Sequence, residues 1–233
     1  MTTKGGINAR TIAVTAIMMA VVAVFTRFVV IPIGTGFFNF SDVAIYFAAF
    51  AFGPWIGFAA GGIGAALADI SLGYSQFAIL TFFAHGLEGL VAGYLGYRLF
   101  PEAQRRSTEV LWRIVLALGW IPIALFIAIL IPVKVLLGQA HELQNTVAQI
   151  IEQQEQLPGL ALGWLAGTVV MVGLYFLGEA TVPAMWGGLP QALTEWPFNV
   201  LQNVAGGIVG IPLVLAVRRA YPPITQMGSW RKQ

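Results

Sequence analysis

This sequence predicts an all-α integral membrane protein, a bundle of six transmembrane helices, and three observations predict it. Of 233 residues, 58% are hydrophobic and 9% charged, whereas a soluble domain carries roughly 25% charged residues. The apolar residues come in long runs, such as the 26 uncharged residues from Val43 to Ala68. Six of these runs approach the roughly 20 residues a helix needs to cross a bilayer. Lipid cannot satisfy an exposed backbone, so such runs must be helical. An outer-membrane barrel would show short alternating segments instead.

The first run covers 9–31. Lys4 and Arg10 ahead of it resemble the start of a signal peptide, but no small-residue cleavage site follows, and it reads as a retained first span. GFFNFSD, at 36–42, then sets three phenylalanines beside an asparagine and an aspartate. It is too greasy for an ordinary turn and too polar for lipid, which fits either a surface anchor or a lid. The second span covers 43–67 and the third 77–97, followed by the polar loop FPEAQRRSTE. The fourth, 112–133, is expected to kink or end at Pro122 and Pro132.

Residues 138–158, GQAHELQNTVAQIIEQQEQLP, are the clearly water-soluble stretch, an insertion between helices 4 and 5 of a single domain covering 1–233. Leu143, Val147, Ile150 and Ile151 recur there at helical spacing. That pattern fits an amphipathic helix on the membrane, or a solvated extension of a neighbouring span. The fifth span covers 159–181 and the last 198–217. With the N-terminus inside, Lys and Arg divide 7 against 5 between the two sides, so loop charge fixes no orientation.

Several chemistries are excluded. Without cysteine there is no disulfide, thiol catalysis or thiolate metal site, and His85 and His141 are too few for a multi-histidine centre. Nothing matches GxxxxGK[ST], HExxH or GxSxG, and the only lysines are Lys4, Lys134 and Lys232. The chain reads as no enzyme, and no cofactor or metal is expected.

Small and polar residues carry the remaining signals. Ala9, Ala13, Ala16, Ala20 and Ala23 step by four and three along one side of the first helix. Gly53, Gly57 and Gly61 form a strip on the second, and Gly86, Gly89, Gly93 and Gly96 on the third. Small residues let helices approach where lipid offers no hydrophobic drive. The glycines read as internal packing; the alanines fit internal packing or docking of another subunit equally. His85 and Glu88, three apart, share a face at mid-membrane, as a proton relay or a structural hydrogen bond. Tyr175, Glu179 and Trp186 precede Asn199, Gln202 and Asn203, whose amides share a face at the start of the last helix. Amides donate and accept without charge, which suits a planar, hydrogen-bonding ligand between aromatic rings. An interfacial aromatic belt explains the tryptophans but not three clustered amides.

FNFSDVAIYFAAFAFGPWIGFAAGGIGAALADI resembles the second-helix signature of the substrate-binding (S) components of energy-coupling factor (ECF) vitamin transporters. HGLEGLVAGYLGYRL looks like the segment that follows it in the riboflavin-type branch, and PFNVLQN is similar to that branch's last-helix motif. The resemblance implies a multi-pass protein of the cytoplasmic membrane, both termini cytoplasmic, that binds a vitamin or related micronutrient near the outer face. Its partners would be a transmembrane T subunit and two ATPase subunits. It implies that Ala13, Ala16, Ala20 and Ala23 dock the T subunit, that Phe37, Phe38, Asn39 and Phe40 form a lid, and that Asn199 contacts ligand. Gln202 stands where the motif has lysine. A self-sufficient proton-coupled transporter using His85 and Glu88 is the alternative; no inverted repeat supports it.

Overall fold

The computed structural model describes residues 9–98 and 157–227. The expected fourth span, its preceding loop and all but the last two residues of the 138–158 insertion lie outside the described residues. Five helical stretches among the described residues are long and apolar enough to cross a membrane.

Helix α1, Ala9–Phe28, runs uncharged between Arg10 and Arg27. Met18, Val22 and Thr26, one turn apart, are its buried residues, so this row faces the bundle. The alanines lie elsewhere on the cylinder: Ala13, Ala16 and Ala20 are exposed and Ala23 is half-buried. The chain then makes an antiparallel hairpin of β1, Ile31–Ile33, and β2, Gly36–Phe38, pairing Ile31 with Phe38 and Ile33 with Gly36. Gly34, at φ 58°, supplies the positive φ that a two-residue hairpin turn requires.

The second apolar run does not form the continuous helix expected over 43–67. Helix α2, Ser41–Phe52, ends at Gly53 (φ 104°, ψ 172°), and α3, Pro54–Ala59, begins at the next residue. A π-turn, Ala60–Gly64, and α4, Ala65–Leu72, complete the return. The two limbs fold back on each other: a Cβ on Gly57 would lie 2.8 Å from the Ala49 Cβ, and one on Gly61 would lie 3.3 Å from an Ile45 methyl. Residues eight and sixteen apart in a straight helix stand about 12 and 24 Å apart, so Gly53 is the apex of a helical hairpin. Proline, with no N–H and a ring that blocks the preceding helix, enforces the reversal at Pro54. Gly53 therefore does not belong to the packing strip, whereas Gly57 and Gly61 lie against the carbonyls of Gly89 and His85 in the third apolar run. Eleven of the twelve residues of α2 are buried, as expected of a helix enclosed on all sides.

Helix α5, Ala78–Arg98, crosses the returning limb where Gly57 meets Gly89, and packs along α6, Leu157–Thr181. A short turn, α7, Pro183–Trp186, leads into α8, Gly188–Ala220. The last helix thus starts ten residues before the expected 198, and its 33 residues include Pro197 and Pro212. At 1.5 Å per residue it is about 50 Å long, well beyond the roughly 30 Å hydrocarbon core. Its other end closes the helical hairpin: the Arg218 guanidinium donates to the Phe50 carbonyl. In an uninterrupted helix residue 54 would donate to that carbonyl, and Pro54 has no N–H to give.

Replacing Arg218 with Met should lower stability by about 1–3 kcal/mol, the cost of a buried carbonyl deprived of its donor. Thermal unfolding in detergent checks this; an unshifted midpoint would mean the apex is held by other contacts.

Candidate substrate-binding site

The polar groups that the apolar runs carry into the bundle meet at one residue of α8. Asn203, fully buried, accepts from the hydroxyls of Tyr46 and Thr168, each 2.5 Å from its Oδ1, and donates from Nδ2 to Glu88 Oε1 at 2.8 Å. Its backbone carbonyl accepts from Trp164 Nε1 at 3.0 Å. One asparagine so joins α2, α5, α6 and α8. From Glu88 the network continues outward: His85 Nδ1 lies 2.8 Å from Glu88 Oε2 and 3.3 Å from Asp42 Oδ1. Gln202 Nε2 lies 3.5 Å from that same aspartate oxygen. Gly206, one turn further along α8, has Asp42 against its α-carbon, and a side chain there would displace the aspartate.

Above this network the β-hairpin leans on α8 through three hydrogen bonds, one of them from Gln191 Nε2 to the Ile33 carbonyl at 3.5 Å. The Gly36 N–H donates to Glu195 Oε1 at 2.8 Å, and the Asn39 N–H to Gln202 Oε1 at 2.9 Å. Asn39 in turn braces the residues leading into α2, its Oδ1 accepting from the Ser41 N–H at 2.7 Å. Beneath the hairpin lies a cleft with about 390 Å³ of empty space, open solvent included. Phe37 and Asn39 line it from the hairpin, Glu195, Asn199 and Gln202 from α8. Thr26, Asp69, Thr81, His85 and Tyr175 close it from α1, α4, α5 and α6. Its floor is ordered by Thr81, whose hydroxyl lies 2.5 Å from Asp69 Oδ2 and 2.7 Å from the Tyr175 hydroxyl.

Of the residues singled out in the sequence, Phe37, Asn39, Tyr175, Asn199, Gln202 and His85 come together around this cleft. Phe37 also packs on Tyr74, ring centroids 4.6 Å apart, while Phe38 turns inward edge-on to Phe40, 5.4 Å away. The three amides lie mid-helix and not at the start of a helix, Asn199 and Gln202 toward the cleft and Asn203 in the core. At about 100° per residue, Gln202 and Asn203 point a quarter-turn apart, so Gln202 reaches the hairpin and Asn203 the core. Trp186 anchors the turn before α8, donating from Nε1 to the Gln76 carbonyl at 2.6 Å. Glu179 is fully buried beside Glu195.

Sequence reasoning missed Asp69, Thr81 and Glu195. Asp69 was visible as a charge ending an apolar run and Glu195 as an acid among prolines and tryptophans, but nothing local joined them. For a metal, Asp42, His85 and Glu88 offer ligand atoms within 4.8 Å of one another. His85 Nδ1 and both Glu88 oxygens are already committed to hydrogen bonds within the protein. Asp42 Oδ2 is the oxygen left without one.

The described residues thus form a helical membrane bundle with a polar, aromatic cleft under a loop. The chain matches the family model of the ECF-type riboflavin transporter S component over residues 6–152, and it belongs to that family. It is thus a multi-pass membrane protein of a family of transporter substrate-binding subunits, which is not an enzyme family; S components work with T and ATPase subunits. The matched stretch includes the hairpin and Asp42, Asp69 and His85; α8 lies beyond it. A curated relative from Pyrococcus woesei, described as an uncharacterized protein in the gap 3'region, is 38% identical over 94 residues. That alignment covers 40% of this chain and 63% of the relative, so the chain spans less than two thirds of the relative's length.

Asn203→Leu should unfold the protein at markedly lower temperature in detergent, since it strips partners from Glu88, Tyr46 and Thr168. Each buried group left unsatisfied costs about 1–3 kcal/mol. A melting temperature within a degree or two of the parent would refute the central position given to this residue.

Proposed function

We propose that the protein captures a vitamin or related small heteroaromatic micronutrient from outside the cell in the cleft beneath the β-hairpin, as the S component of an ECF transporter. The observation that carries this reading is the pairing of the hairpin with α8. The hairpin holds an aromatic ring and an amide over the same space that Asn199 and Gln202 face from the other side. Such a roof opens by parting its hydrogen bonds to α8, and closes over a bound ring by remaking them. Uncharged amides and aromatic walls recognise a planar ring by its edge and its faces. Phe38 and Phe40 stiffen the roof; Glu179, Trp186 and Asn203 support the walls from behind.

In this reading both termini face the cytoplasm and the cleft faces outward. A T subunit and two ATPases power release inward, and the T subunit docks on the alanine stripe of α1. The exposure of Ala13, Ala16 and Ala20 supports that role: small side chains on an outer face let a partner helix approach closely. Within the membrane, charges on an outer face would oppose movement of the loaded protein, and α1 carries none between Arg10 and Arg27.

Asn199→Ala and Gln202→Ala should each weaken ligand affinity by about 1–3 kcal/mol, measured by equilibrium binding to the detergent-solubilised protein. Unchanged affinity in both would move the site elsewhere. Ala16→Leu or Ala20→Leu should abolish co-purification with the T subunit while leaving binding intact. Uptake by this chain alone, collapsing with the proton gradient, would instead favour a proton-coupled transporter built on His85 and Glu88.

A further inference from the structure

The cleft is acidic to a degree that neither the sequence pattern nor the family description anticipates. Asp69 and Glu195 line it, 3% and 6% exposed. Glu179 stands beside Glu195, fully buried, with its carboxyl within hydrogen-bonding reach of that of Glu195. Deeper still, Asp42 and Glu88 flank the His85 imidazole. Five buried carboxyl groups therefore surround this end of the bundle, and among the described lining residues there is no lysine or arginine. Arg27 follows the lining residue Thr26, but its guanidinium turns away to the carbonyl and hydroxyl of Ser71. Arg218 lies at the opposite end, on the Phe50 carbonyl.

Charge decides what such a space accepts. A carboxylate or phosphate on the ligand would meet acids and, among the described lining residues, no lysine or arginine, an arrangement that disfavours an anion in a weakly screened site. A cation supplies what the described lining omits, because a buried carboxyl holds its charge only when paired. The rings of Phe37, Phe77 and Tyr175 on the walls add a face for a cation to rest against. A bare metal ion would gain little from those rings and from the Asn199 amide.

We infer that the cleft selects an organic cation: a small heteroaromatic compound with a positively charged ring nitrogen or amine, lacking phosphate and carboxylate, its charge set between Asp69 and Glu195. This rests on the reading above that the space under the hairpin is the substrate site.

The test equilibrates detergent-purified wild-type protein, Asp69→Asn and Glu195→Gln with a soluble metabolite extract, followed by washing, denaturation and mass spectrometry of the released compounds. The expected result is a compound cationic at neutral pH, retained by the wild type and reduced about tenfold or more in each variant, as for loss of a buried charged partner. A neutral or anionic compound retained by the wild type overturns the inference while leaving the substrate-site reading standing. A cation retained equally by both variants overturns the assignment of its charge to these acids. Failure of the wild type to enrich anything overturns the substrate-site reading itself, and the inference with it. The charge of the wild-type compound decides the question even if a variant fails to fold.

Discussion

The structure depends on the rule that a polar group carried into lipid must find its partner inside the protein. Asn203 is where that rule is met for four helices at once. Its amide receives two hydroxyls and gives to one carboxyl, and its carbonyl receives an indole. Apolar packing alone would leave these helices free to slide, because lipid solvates leucine as well as a neighbouring helix does. A directional set of hydrogen bonds fixes their register, and the register fixes where Gln202, one residue earlier on α8, meets the β-hairpin.

Glycine and proline do the complementary work. The helical hairpin at Gly53 and Pro54 lets α2 sit in the middle of the bundle, with Asp42 and Tyr46 enclosed on every side. Close crossing of Gly57 and Gly89 holds the returning limb against α5, which brings Asp69 on α4 within reach of Thr81. The cleft is the space left where this limb, α8 and the β-hairpin fail to meet. The apolar interior below is closed by Arg218, which takes over the carbonyl that the apex of the helical hairpin would otherwise strand.

Much of this was legible in the sequence where one helix determines one pattern. The α1, α5 and α6 runs were found to within three residues at each end, because uncharged length alone defines them. The alanine stripe and the pairing of His85 with Glu88 followed from spacing on a single helix. The 43–67 run reads as one span because uncharged length cannot distinguish a straight span from a tight helical hairpin; the signal of the break is Pro54 directly after Gly53. The early start of α8 was hidden by Pro190, Pro197 and Glu195, which look like loop residues until the helix is seen to extend beyond the hydrocarbon. Asp69, Thr81 and Glu195 were invisible as a group because they are brought together only by tertiary packing. The aromatic and amide residues were found because each lies in a locally unusual stretch.

The central claim is that the space between the β-hairpin and α8 is where substrate is held. The chain has no cysteine, so a single engineered thiol reports on one position at a time. The most direct measurement is the rate of thiol labelling of Asn199→Cys, with Tyr221→Cys at the far end of α8 as reference, before and after loading with the compound the parent protein retains. The account predicts that loading slows labelling at 199 at least about tenfold, as expected for a group covered by a ligand that buries most of its own surface in the pocket, and leaves 221 unchanged. Equal labelling at 199 in the loaded and empty protein would contradict it.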